Sequence, residues 1–129
     1  MRAYPQYRLI RADAAVVVAC WGALLGGVVA FVVTFVLFEI FAVSVPDSVV
    51  QAFFACALFL GLLHVVTSLT HRCPNCRKHP TIQGFKPIHE KAIVESGITG
   101  WGRVVWDVFR NKPFTCIHCG DVYVARSAV

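Results

Sequence analysis

Two short motifs carry the chemistry of this chain: Cys73-Pro74-Asn75-Cys76 and Cys116-Ile117-His118-Cys119, the second followed by Gly120. Thiolate sulfur is a soft anionic donor, and four of them fill a tetrahedral shell around one ion with Zn–S bonds of about 2.3 Å. A two-residue gap makes the chain turn tightly. That aims both sulfurs of a pair at one point and turns backbone N–H groups toward them. Gly120 suits the positive φ that such turns often need. Cys73, Cys76, Cys116 and Cys119 are therefore the candidate ligands of one structural zinc. The same thiolates suit a single iron or can bridge to a cluster, so iron is the alternative.

These motifs must be positioned by very different surroundings on their two sides. Of 129 residues, 57% are hydrophobic and only 15% charged, with a mean hydropathy of +0.67, against roughly 25% charged in an ordinary soluble domain. Too little polar surface remains to cover a soluble globule, and the composition is the opposite of a disordered chain. The apolar residues gather at one end. Residues 14–70 carry two charges, Glu39 and Asp47, whereas residues 71–129 carry nine Lys/Arg against four Asp/Glu, a net charge equal to the +5 of the whole chain.

Ala14 to Phe38 and Val49 to Leu69 are both free of charge, and about 20 apolar helical residues cross a hydrocarbon core of roughly 30 Å. Neither run has the polar face that a helix of a soluble bundle needs. The fold expected is a membrane α-helical hairpin of two transmembrane helices, about 14–38 and 49–69. It is followed by a small module over 71–129 with β-hairpins and one amphipathic helix. Residues 1–13 form a separate amino-terminal segment. Pro46 breaks the helix, and Ser48 to Gln51 has the spacing of a capping box. Small residues at Gly22, Gly26 and Ala30, and at Ala57 and Gly61, suit a close helix–helix seam. Ala42-Val43-Ser44 is a tolerable signal-peptidase site, but the apolar stretch before it is longer than an ordinary signal core.

Arg2, Arg8 and Arg11 flank the first span, and Arg72, Arg77 and Lys78 follow the second, while the connecting loop carries only acidic charge. Positive-inside bias places both termini in the cytoplasm, in the simplest setting a bacterial inner membrane. The four cysteines then face a reducing compartment, which disfavours disulfides. Cys20 and Cys56, counted from the ends of their runs, sit about 10 Å apart in depth and should not pair. His64, near the cytoplasmic end of the second span, is a polar ring in an apolar run, with a structural role favoured over a functional one.

The knuckles resemble those of zinc ribbons, the broader group that includes rubredoxins. The resemblance covers Cys73 to about Val124, with Phe114-Thr115 leading into the second knuckle and Asp121-Val122-Tyr123-Val124 leaving it. It departs in two places: Arg77 stands where glycine is common, and 39 residues separate the pairs where about 15–20 would be usual. The spacer is thus an insertion. Within it, residues 98–110 form an amphipathic helix with Ile98, Trp101, Val104, Val105, Trp106, Val108 and Phe109 on one face. Thr99, Arg103, Asp107 and Arg110 lie on the other, a pattern suited to the headgroup plane or to a partner subunit. His71, His79, His89 and His118 are bystanders beside four cysteines.

A closed four-cysteine shell leaves no position for a catalytic water. No phosphate loop, nucleophile elbow or paired-carboxylate site occurs. The expectation is a protein that is not an enzyme: an adaptor or accessory subunit of a membrane complex, its partners the lipid bilayer and another membrane protein. The alternatives are an iron-based electron carrier and a membrane-tethered nucleic-acid module. The second is disfavoured, because anionic lipid explains the same basic charge.

Overall fold

A computed structural model describes residues 1–41, 46–93 and 97–124. Two long helices dominate it, α1 over Tyr7–Phe41 and α2 over Asp47–Ser68. Both are long and apolar enough to cross a membrane. Their most apolar stretches are only 11% and 6% buried, whereas a core helix of a soluble protein would be mostly covered. Helix α1 starts seven residues before the uncharged run, so Arg8, Arg11 and Asp13 are helical too. Helix α2 opens at Asp47 rather than at a Ser48 cap, and the Pro46 carbonyl accepts from Val49 N–H at 3.0 Å. The Ala42-Val43-Ser44 site lies outside the described residues.

The chain divides into two compact units, Val16–Leu63 on one hand and Met1–Ala15 with His64–Val129 on the other. Within the first, the helices run antiparallel: Phe53 lies against Gly26 and Gly27, and the Cys20 thiol donates to the Ala57 carbonyl at 3.4 Å. The small-residue seam holds at Gly26 and at Ala57, which is buried, and extends to Gly27; Gly22 and Gly61 face open space. Cys20 therefore lies level with the neighbour of Cys56, and the expected difference in depth is wrong. The two helices are not flush at their ends, because α1 reaches well beyond its apolar run. What separates the thiols is direction, since Cys56 is exposed and Cys20 half-buried.

The other unit holds a three-stranded sheet in the order β1-β3-β2. Strand β2 (Phe114–Thr115) and β3 (Val122–Val124) form an antiparallel hairpin around the second knuckle, with Phe114 opposite Tyr123. Strand β1 (Arg2–Ala3) adds parallel to β3, with Arg2 opposite Tyr123. Sequence reasoning treated residues 1–13 as a separate segment and expected more than one hairpin. Among the described residues one hairpin forms instead, the first knuckle is built of turns, and the amino-terminal residues supply the third strand. The next residue, Tyr4, is 1% exposed and meets Phe114 and Tyr123 edge-on at centroid distances of 5.3 and 5.4 Å. These three rings form the core under the knuckles.

The inserted helix is α3, Gly100–Phe109, within the expected 98–110. Its inward stripe is Gly100, Val104, Val105, Asp107 and Val108, and it packs on β2. That stripe follows helical periodicity but divides the helix differently from the hydropathy pattern. Asp107 turns inward, its carboxylate taken by Arg103 Nε at 2.7 Å, while Trp106 and Phe109 stay half-exposed with the Arg110 guanidinium 5.8 Å over the indole. An ion pair one turn apart lets an acidic residue sit on the inner face.

Candidate metal centre

Each knuckle repeats one backbone pattern. The N–H of the residue after the second cysteine donates to the first cysteine's carbonyl, Arg77 to Cys73 and Gly120 to Cys116, both at 2.9 Å. The N–H of the first cysteine donates onward, Cys73 to Lys78 at 2.8 Å and Cys116 to Asp121 at 2.9 Å. Such a turn ends in the left-handed region, and Gly120 has φ of +74°. Arg77, the departure from the ribbon pattern, has φ of +57°. An L-residue other than glycine meets its own carbonyl there at a cost of roughly 1–2 kcal/mol. The turn is made despite the residue, so the cost is carried by the rest of the site.

The four sulfurs lie within 4.8 Å of one another. Across the two knuckles, Cys73 Sγ is 3.7 Å from Cys119 Sγ, and Cys76 Sγ is 3.8 Å from Cys116 Sγ. Four sulfurs placed tetrahedrally about 2.3 Å from one ion are separated by about 3.8 Å. The spacing thus matches the edge of a tetrathiolate shell, and the cluster could hold a metal ion. The chain that folds between the knuckles, long as it is, does not spread them.

Burial is uneven. Cys73 and Cys116 are buried, while Cys76 and Cys119 are half-exposed. Burial pushes the Cys73 thiol up, but N–H groups of Cys76 and Asn75 and the Tyr123 hydroxyl outweigh it and bring it down to about 7. The Tyr123 hydroxyl lies 3.3 Å from that sulfur. Burial pushes Cys116 far above the usual thiol range despite N–H groups from His118 and Cys119, and it raises Cys119 as well. One thiolate is therefore ready at neutral pH, and at least two of its partners must shed protons when a cation arrives.

Around the sulfurs stand groups that sequence reasoning missed. Asp121 accepts from Asn75 Nδ2 at 2.8 Å, bracing the first knuckle against the exit of the second, and Arg2 lies 3.6 Å away from the same carboxylate. Tyr4 is raised well above the ordinary phenol range, first by burial and then by the charge of Cys73, Cys116 and Cys76. No local pattern marked Tyr4 or Arg2, because their partners come from the far end of the chain.

The four histidines of the module have other work. His79 Nδ1 bonds to the His71 carbonyl at 2.9 Å, and His118 Nε2 bonds to the carbonyls of His79 and Ile82 at 3.1 and 3.0 Å. His89 accepts from Lys91 N–H at the start of the short 3-10 turn Glu90–Ala92. His71 is fully buried, 3.1 Å from Thr81 Oγ1, and burial holds it below its ordinary value against the pull of Asp13. None joins the sulfur group among the described residues.

Fold and site together define a chain with two helices able to cross a membrane and a four-cysteine cluster able to hold a metal ion. Comparison with protein-family models, curated proteins and solved structures finds no match.

Proposed function

We propose that this is an integral membrane protein in which Cys73, Cys76, Cys116 and Cys119 hold one structural zinc, and that the zinc module is a non-enzymatic docking platform for a larger membrane complex. The observation that carries the metal assignment is the 3.7 and 3.8 Å sulfur spacing across the knuckles, which suits four thiolates around a single ion. A closed shell of four thiolates leaves no position for substrate or water, which favours a structural ion over a catalytic one. Iron has the same stereochemical fit, and an electron carrier is the competing function.

Placing both termini in the cytoplasm of a bacterial inner membrane rests on the arginine distribution. It is supported by β1 pairing with β3, which requires residues 1–3 and the cysteine module to share one side. A retained first span, rather than a cleaved signal, is supported by Tyr4, Ile10, Asp13 and Ala14, all buried. Helix α3 leaves Trp106 and Phe109 partly exposed with Arg110 over the indole, and Phe85 is fully exposed elsewhere in the module; these residues are the surfaces offered to a partner or to headgroups.

The experiment is purification of the full chain in mild detergent, with metal analysis, a visible spectrum and identification of co-purifying proteins on one sample. One zinc per chain, no colour and a stoichiometric membrane partner are expected. Stoichiometric iron with visible thiolate-to-iron absorption would instead establish the carrier.

A further inference from the structure

Away from the cysteines, a second polar cluster occupies the junction of α1, α2 and the module. Asp13 is 0% exposed, and its Oδ1 accepts from Thr67 Oγ1 at 2.5 Å and from His64 Nδ1 at 2.8 Å. Its Oδ2 faces the buried His71 Nε2 at 3.6 Å. A buried carboxylate that already accepts from Thr67 needs the His64 proton on Nδ1. That fixes the tautomer and leaves Nε2 as the ring's free polar edge, as an orienting carboxylate does for a general base.

His64 is 22% exposed and lines an open-mouthed cavity of about 480 Å³, with Trp101, Val65, Ile82, Thr81 and Gln83 among its walls. This volume suits a small molecule. The Trp101 indole lies nearly parallel to the imidazole, 24° between planes and 6.5 Å between centroids. The walls thus combine the apolar and aromatic surfaces of Val65, Ile82 and Trp101 with the polar side chains of Ser68, Thr81 and Gln83, and His64 is the acceptor polarised by a buried carboxylate.

We propose that this cavity binds a neutral hydroxylated aromatic ring, of the phenol or hydroquinone class, whose hydroxyl donates to His64 Nε2. Trp101 is the flat wall for the ring, and Asp13 is a positioning residue that acts through His64. Binding is independent of which ion the cysteines hold, so the outcome bears on this site alone.

The test uses the full-length, metal-loaded protein in detergent with Trp21→Phe and Trp106→Phe, which leaves Trp101 as the reporter. Emission is titrated with 4-hexylphenol and with 4-hexylanisole, a methyl ether of similar apolar character that cannot donate a hydrogen bond. The phenol is expected to bind saturably and about tenfold more tightly, the range of one hydrogen bond to a polarised acceptor. The preference should vanish in His64→Phe. Because that variant removes the imidazole donor from the buried Asp13 carboxylate, the Asp13→Asn/His64→Phe double variant is titrated alongside. Equal affinity for the two probes, or a phenol preference that survives in either variant, would overturn the proposal.

Discussion

Tyr4 offers a test whose sign runs against intuition about conserving buried polar groups. Its ring is 1% exposed and makes edge-on contacts with Phe114 and Tyr123, but its hydroxyl is buried without a hydrogen-bond partner among the described residues. A buried hydroxyl left unpaired costs about 1–3 kcal/mol. Tyr4→Phe removes that cost, keeps both ring contacts and opens a gap of one atom, so a gain of about 1 kcal/mol is expected. For the unit of Met1–Ala15 with His64–Val129, a change of that size moves the midpoint by roughly 4–8 °C. Tyr4→Ala is the opposite control, since truncating a buried aromatic costs about 3–5 kcal/mol. Both are read by thermal unfolding of the metal-loaded protein in detergent, followed by near-ultraviolet circular dichroism. A Tyr4→Phe midpoint more than about 4 °C below wild type would mean that the hydroxyl holds a bond worth more than its desolvation. The ring cluster under the knuckles would then be packed differently.

Other expectations follow from single residues. Arg77→Gly should raise stability by about 1 kcal/mol by relieving the left-handed turn, whereas Gly120→Ala should lower it, because its Cβ would meet His89 Nδ1 at 2.6 Å; paired thermal melts check both signs. Zinc titrated into metal-free protein at pH 8 should release at least two protons, those of the raised thiols Cys116 and Cys119, while Cys73, lowered to about 7, is already mostly ionised. Since thiolates are the ligands, zinc affinity should fall as pH drops through 7, and competition with a chromogenic chelator across pH reads this directly. Between α1 and α2, Gly26→Leu should cost about 1–3 kcal/mol by overpacking, since a Cβ there sits 2.9 Å from the Phe53 ring, and Gly22→Leu should be near neutral because nothing lies within 4 Å. Equal effects at the two glycines would show that the helices do not meet along that face.

The cysteines and the two long helices were legible because their signals are local. A two-residue gap between cysteines dictates a turn wherever it occurs, and twenty apolar residues in a row need no distant information. What escaped depends on contacts across the whole chain. Arg2–Ala3 becomes a strand only because β3 offers an edge. Asp13 was legible merely as one charge among the amino-terminal arginines, although it is the buried acceptor for His64 and Thr67. The faces of α3 were misjudged from hydropathy, because Arg103 neutralises Asp107 on the inner side and Trp106 shares its exposed ring with Arg110. The relative depth of Cys20 and Cys56 failed for a geometric reason: apolar runs mark where lipid-like residues start, not where helices do.

The parallel pairing of β1 with β3 sets an order in time. Arg2 meets Tyr123, so the ribosome makes one partner some 120 positions before the other, a wait of roughly 6–24 s at ordinary elongation rates. During that interval both long apolar helices leave the ribosome, while the early strand stays unzipped. The cysteine site therefore matures last, after translation has committed the hairpin, and a bulky fusion ahead of Met1 should delay that final closure more than one at the opposite terminus.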